Sequence, residues 1–594
     1  MRDNKCLIDI LNKLKQSSKE AVENTNNFST FKSYMHVKRN VEDELLNIID
    51  NSYMSINSRL ILVCGGVGDG KSHIISYLKN KYSSTMSGFD IHNDATESFD
   101  PSKTSIDTLN DVLSDFNDYN IEKSNKKLIL AINLGALSNF IDSKYNHNFT
   151  KLIKYVEEKN LLNTDISDND YNKNSHFQFI NFSDYHIYSL NNEKTESKYI
   201  DDLINKITQT DKQNEFKNSY NENCLKCSVS YSCPIKINYE MLMISSVRKS
   251  LIDIIIQAVI NDKLIVSTRS LLNYIYDFIV TTELDNKNKN ELEIYIAKMN
   301  SLDFLDSIFV SNIFSYKDLS QISHSVSNLD PINYSSKGLD NLIIKLTLTD
   351  DICSIFSKYL NYNKDDKLGN IINNNNFIKD ELIKLDTNIS KVNFKNKLVN
   401  LFIRLLKFLP KEEVDLNDKD YIKYIEYLYY FNKGDKKGLF ELYKDVREAI
   451  YKWDGEVTDN RINILVGKNQ TKYQMTQKVD ILADLSNLKI NDNLDLLKFN
   501  PSLVLSYKNE DSTKSYSVDI DFNLYKFLMK VKNGYRPSID DKCDHINFVK
   551  FLDKIKKLGT QNKEVHIEDR DSNKNNVYKL VYSEGFGQFE FMKI

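Results

Sequence analysis

Apolar positions along the chain fall into successive regimes, and each predicts a different architecture. In residues 1–50 they recur at helical spacing: Leu7, Ile10, Leu11 and Leu14 share one face, and a second such face runs over 41–49. From Leu60 the pattern changes to short apolar runs over 60–64, 89–92, 128–132 and 177–182, separated by helical stretches. Strands alternating with helices in this way predict a parallel α/β sheet. Between the last two runs, "NTDISDNDYNKNSH" (163–176) reads as a polar surface loop. Residues 221–280 pass from a cysteine cluster into long helical patterns, and 291–450 read as mostly helical. That stretch is broken by "NYNKDDKLGNIINNNN" (361–376), whose polarity predicts a solvated loop. Beyond Trp453, strand-like runs return at 461–466, 502–507, 516–520, 577–582 and 589–592, with helices near 524–531 and 546–555.

The expected organisation is therefore a multidomain α/β chain. It has an N-terminal helical segment (1–50), a parallel-sheet core (51–190), a cysteine-cluster insertion with a helical lid (191–285), a helical domain (286–450) and a C-terminal α+β domain (451–594). A length of 594 residues exceeds what one hydrophobic core supports, which agrees with several domains.

The first apolar run leads into "LILVCGGVGDGKSHIISYLKN". Gly65, Gly66, Val67, Gly68, Asp69, Gly70, Lys71 and Ser72 fit G-x-x-x-x-G-K-[ST], with a strand before and an amphipathic helix (Ile74, Ile75, Leu78) after, as that motif requires. The glycines let backbone N–H groups turn inward around phosphate oxygens. Lys71 is expected to reach the β/γ-phosphates of ATP and the Ser72 hydroxyl to ligate Mg²⁺, with His73 in the first turn of the dipole-bearing helix. The core is thus expected to be a P-loop NTPase with an AAA+/RecA-like sheet.

Hydrolysis also needs a carboxylate near magnesium and a base for water. The third run, "KLILAINLGAL", would normally end in a Walker B aspartate, but it ends in Asn133. Acids follow the second run instead, in "FDIHNDATESFDP": Glu97 is the first candidate base and Asp94 the second, unless these acids only cap a helix or line a loop. Asn181 or Ser183, after the fourth run, are candidates to sense a γ-phosphate. Arg269 in "IVSTRSLLNYIYDF" sits where an AAA+ lid often presents an arginine; the alternative is an ordinary surface arginine.

Cys224, Cys227 and Cys233 in "CLKCSVSYSCP" have the C-x2-C spacing of a zinc knuckle with a third thiol close by. A tetrahedral site needs a fourth ligand and none is near in sequence; His176 or His186 are candidates to fold in, and three metal-free thiols are the alternative. In "DYIKYIEYLYYF", Tyr421, Tyr424, Leu428 and Phe431 keep helical spacing and read as a core stripe rather than a base-stacking platform. Lys550, Lys554, Lys556 and Lys557 read as a solvated helix face before a DNA contact.

Composition narrows the classes further. A net charge of −4 gives no overall basic field for gripping nucleic acid. The seven cysteines lack regular disulfide spacing, and neither a signal-peptide core nor a bilayer-length apolar run is present, so the expectation is a reduced, cytoplasmic chain with no membrane association.

Taken together, "SSKEAVEN", "YMHVKRNVEDEL", "LILVCGGVGDGKSHIISYL", "IHNDATESFDPSKTSIDTL" and "LILAINLGALSNF" resemble the DNA phosphorothioation-dependent restriction protein DptF (DndF) family. "CLKCSVSYSCPIKINYEML", "LIVSTRSLLNYIYDF" and "GYRPSIDDK" extend the likeness over nearly the whole chain. The resemblance implies a P-loop ATPase in bacterial defence. Its partners would be DptG-like and DptH-like proteins, the latter a HerA-like helicase, and together they would restrict DNA that lacks the phosphorothioate modification. DNA would be met directly or through those partners. By position, the resemblance carries Gly65, Gly70, Lys71 and Ser72 over as nucleotide residues. No nuclease signature is visible. An ATPase, a nucleotide-held switch and a recruiting scaffold therefore remain distinct readings.

Overall fold

The computed structural model describes residues 5–23, 30–66, 68–93, 103–162, 169–349, 351–362, 365–385, 387–412, 414–455, 457, 460–464, 472–509, 514–560, 563–569 and 576–594. The chain divides into two compact units, Met1–Ser189 with Thr195–Asn417, and Leu190–Lys194 with Asp418–Ile594.

The first unit is mixed α/β around a four-stranded parallel sheet. Its strands are β1 (Arg59–Cys64), β2 (Asp90–His92), β3 (Lys127–Ile132) and β4 (Phe177–Asn181), in the order β2-β3-β1-β4. Leu60 stands opposite Leu128 and Phe177, and Cys64 opposite Ile132 and Asn181. Every residue of β1 and β4 is buried. Both faces of the sheet are covered, which is why 60–64 in β1 and 128–132 in β3 are continuously apolar rather than alternating. Leu60, Leu62, Leu128 and Leu130 point into the layer built by helices Ser105–Val112, Leu134–Ile141 and Thr150–Glu158. Ile61, Val63, Ile129 and Ala131 point to the opposite layer, built by Asn40–Tyr53 and Lys71–Lys81. Because all four strands are parallel, the turns after β1, β3 and β4 share one edge of the sheet, where α/β sheets hold ligands.

The rest of this unit is helical. Helix Ser245–Asp262 carries the apolar stretch 251–260 into the interior, with Leu251, Ile255 and Ile256 almost fully buried. Among the described residues no helix is long and apolar enough to cross a membrane. Helix Leu7–Glu23 lies along Thr268–Ile279, where the Tyr276 hydroxyl donates to Asn12 Oδ1 at 2.8 Å. The asparagine-rich stretch expected to be a loop differs: it contains helix Lys367–Asn373 and the start of helix Asn375–Lys384. The Asp366 carboxylate accepts from Gly369 N–H at 2.7 Å and Asn374 Oδ1 from Phe377 N–H at 3.2 Å, so the polar residues cap these helices rather than prevent them. In helix Asn388–Phe408, Arg404 makes a two-point contact with Asp330, Nη2 to Oδ2 at 2.6 Å and Nε to Oδ1 at 3.2 Å, with both side chains largely buried.

Among its described residues the second unit has a five-stranded and a three-stranded antiparallel sheet, besides a short antiparallel pairing of Asp495 and Leu496 with Asn191 and Leu190. One runs Gln588–Lys593, Val577–Ser583, Glu564–Asp569, Tyr473–Lys478, Arg461–Asn463; the other runs Ser515–Ile520, Leu503–Lys508, Leu482–Ala483. In helix Lys419–Lys433, Tyr424 and Leu428 of the expected core stripe are fully buried, whereas Tyr421 and Phe431 are half-buried. Trp453 packs against Phe548 and Phe527, with ring centroids 4.7 and 5.6 Å apart. Beside it Asp454, its side chain only 2% exposed, receives Lys542 at 2.7 Å and Lys556 at 2.8 Å. Lys556 is therefore committed inward and leaves the basic face. Burial by itself would raise the Asp454 carboxyl; the Lys556 and Lys542 ammoniums outweigh it and hold the group below the usual carboxylate range. A folded-state pKa below the unfolded one contributes stability above the unfolded value, about pH 4, that is lost as pH falls through the folded pKa. Asp454→Asn is expected to cost about 2 kcal/mol at neutral pH and to flatten the acid limb of the unit's stability, read by urea unfolding across that range. An unchanged acid limb would count against the pair.

Candidate functional site at the glycine-rich loop

β1 ends in a loop that only glycine permits at three places. Gly65, Gly68 and Gly70 have φ of +152°, +97° and +86°. At Gly65 an added Cβ would stand 2.8 Å from Asp69 Oδ2 and 3.0 Å from Phe182 Cβ, so both the conformation and the space select glycine. Gly70 immediately precedes helix Lys71–Lys81 in the left-handed conformation and has no side chain with which to cap it. The positive end of that helix is thus turned to the loop.

Within the loop the charges are already arranged around backbone groups. Lys71 Nζ donates to the carbonyls of Gly65 at 2.9 Å and Gly66 at 2.7 Å. The Asp69 carboxylate accepts from Gly66 N–H at 2.6 Å and from the Ser183 hydroxyl at 2.8 Å. A loop amide therefore already engages an anionic oxygen, the chemistry of an anion-binding turn. Ser72 is exposed at the second position of the helix.

Two neighbouring segments brace the loop. Arg39, ahead of helix Asn40–Tyr53, donates to the Asp69 carbonyl and, at 2.9 Å, to the Tyr185 carbonyl; its guanidinium lies 5.9 Å from the Tyr199 ring centre. Burial pulls the Arg39 guanidinium below its ordinary pKa. Tyr199 in turn bonds Thr268. Gly68 faces the stretch that opens helix Thr268–Ile279: a Cβ there would meet Ile265 at 3.5 Å and Ser267 at 3.8 Å. Ser267 caps that helix on Ser270 N–H at 3.1 Å, and Arg269 is exposed in its first turn. The structure thus brings the segment bearing Arg269 to the loop.

His73 is engaged elsewhere. Its Nε2 lies 3.2 Å from His36 Nδ1, and His36 Nε2 stands 3.1 Å from Glu42 Oε2, with the His36 ring stacked on Tyr77. Burial and the neighbouring His36 push His73 down to about 4, so the ring is neutral at ordinary pH. It joins the helix to the segment before Asn40 rather than offering charge to a ligand.

Asn133 follows β3, and its Oδ1 accepts from Ala136 N–H at 2.6 Å, capping helix Leu134–Ile141. In the strand order, β3 lies beside β1 and β2 one place further out. Asp94 and Glu97 follow β2 and, like Val67, lie outside the described residues. Asn181 donates from Nδ2 to Asp184 Oδ1 at 2.7 Å and accepts from Ser183 N–H at 3.2 Å, which shapes the turn that presents Ser183 to Asp69.

Cys224, Cys227 and Cys233 line one small cavity, and Cys6 joins them there. The two histidines considered as a fourth ligand are occupied differently: His176 lies 2.8 Å from the Ser58 hydroxyl, and His186 rests against Tyr188. Sequence reasoning missed both Cys6 and Arg39. Cys6 carries no spacing signal toward residues more than two hundred positions away, and Arg39 shows only as a basic residue before a helix.

Compared with known protein families, with curated proteins and with solved structures, the chain has no match in any of the three.

Proposed function

We propose that the chain binds ATP at residues 65–72 on a P-loop NTPase core of AAA+/RecA-like type. In this reading it serves as the ATP-hydrolysing subunit of a cytoplasmic bacterial complex that restricts DNA lacking phosphorothioate. One observation carries the nucleotide part: a buried parallel strand runs into a loop with three positive-φ glycines, an amide held on an anionic oxygen, and a lysine at the start of the next helix. These are the donors a polyphosphate requires. The amides of the loop and Lys71 would hold the phosphates and Ser72 the magnesium, whose charge would offset that of the transferred phosphoryl group. The restriction role, the DptG-like and DptH-like partners and the DNA rest on the DptF resemblance.

Hydrolysis rests on the sequence: Asn133 supplies no carboxylate, and Asp94 and Glu97, which follow β2 in the chain, are the candidate acids. A second reading, a nucleotide-held switch or scaffold with little turnover, is favoured by the commitment of Asn133 to a helix cap. Phosphate release by the full chain, alone and with DNA and the two partner types, separates them. The expected result is stimulated release that falls about 100-fold or more in Glu97→Gln while ATP binding persists. Binding without release under every condition would leave only the switch.

A further inference from the structure

We propose that Cys6, Cys224, Cys227 and Cys233 form a four-thiolate tetrahedral site for a zinc ion, which fastens the start of helix Leu7–Glu23 to the turns of residues 224–233. This site is independent of the nucleotide reading. Four of the seven cysteines line a single small cavity of about 30 Å³, room for one ion. Cys64, Cys353 and Cys543 belong to other parts of the fold.

The backbone prepares each position. Cys224 and Cys227 bracket a tight turn in which Cys227 N–H donates to the Cys224 carbonyl at 3.3 Å, followed by Ser230 N–H to the Cys227 carbonyl at 3.0 Å. Such a C-x2-C knuckle sets two sulfurs toward one point. Cys233 immediately precedes helix Pro234–Met243, and Cys6 precedes Leu7–Glu23. Amides at helix starts stabilise a thiolate over a thiol. Cys6 is held in place by its neighbour, since the Lys5 carbonyl accepts from Ser219 Oγ at 2.9 Å and Asn223 Nδ2 at 2.8 Å.

Zinc binding to the four thiols of this one cavity would release their protons. Lys236, paired with Glu240 at 3.0 Å, and Lys289 line the same cavity, as does Glu293, whose Oε1 accepts from Cys227 Sγ at 3.7 Å. Among the described residues no three or more His, Cys, Asp or Glu side chains are positioned to hold a metal ion, so binding requires the four thiols to rearrange around it.

The test uses the full chain purified without chelator. One zinc per chain is expected by elemental mass spectrometry, and Co²⁺ exchanged into it should give the intense visible bands of tetrahedral thiolate ligation. Cys6→Ser is expected to shift those bands and to speed zinc loss to a chelator at least tenfold, while Cys543→Ser changes neither. Wild-type protein alone gives a second readout: four more cysteines should become alkylatable after the metal is stripped. Absence of zinc, a disulfide among the four in the intact mass, or a Cys6→Ser variant with unchanged cobalt bands would each overturn the assignment.

Discussion

Lys71→Ala is expected to weaken ATP binding on the order of 100-fold while leaving the fold in place. In the structure Lys71 Nζ makes two contacts with loop carbonyls, at 2.9 and 2.7 Å, so its ammonium is already aimed over the loop. A polyphosphate would draw that charge onto its own oxygens, and contacts to charged groups contribute about 1.5–3 kcal/mol each. A loss of about 3 kcal/mol is roughly two decades in Kd. The loop itself should keep its shape, because Arg39, Asp69 and Ser183 hold it independently of the lysine. Titration with a fluorescent ATP analogue, alongside circular dichroism, reads both halves of the expectation. Affinity within threefold of wild type would remove Lys71 from the phosphate site. Arginine should restore little, since its planar fork cannot replace a compact ammonium in this turn.

The largest stability effect is expected at Asp330. Its carboxylate meets Arg404 in a two-point contact, caps Ile332 N–H at 3.2 Å and is only 6% exposed, while Arg404 also lies over the Phe314 ring. Asp330→Ala would leave a buried guanidinium without its counter-ion, which costs about 3–5 kcal/mol. Replacing both partners, Asp330→Leu with Arg404→Met, is expected to recover most of that loss, because the desolvation penalty disappears with the charge. Urea unfolding of the first unit, followed by limited proteolysis, distinguishes the two variants. A cost under 1 kcal/mol for the single change would show that the pair is solvated. The chain has two units, so the unfolding should be read as separate transitions rather than one.

What the sequence makes legible follows from where the information is local. β1 and β3 are readable because five-residue apolar runs buried on both faces have no other use, and the loop after β1 because its glycines, lysine and serine lie within eight residues. The order of strands is not local: nothing in "KLILAI" says that it lies between β1 and β2. Helix Lys367–Asn373 is hidden by asparagines, although Leu368, Ile371 and Ile372 keep helical spacing and are buried. The strands Tyr473–Lys478 and Glu564–Asp569 are hidden by polarity; each exists because the other pairs with it, His566 opposite Thr476. In the site, Lys71 and the glycines are legible. Arg39, the link from Ser183 to Asp69, and Cys6 are not, since each acts on residues brought near only by folding.

Asp69 gives the loop a competitor of its own. Its carboxylate sits on the Gly66 amide, three residues away, and any incoming anion that takes that amide must displace it. A tethered group acts at an effective concentration on the order of millimolar or higher, and it is present at every encounter. A small anion offering one or two contacts gains little by the exchange. A chain of phosphates that also engages Lys71 and the helix start gains several contacts for the one it breaks. In the proposed reading the loop would thereby discriminate by ligand length, through a charge that added salt cannot wash out of the site.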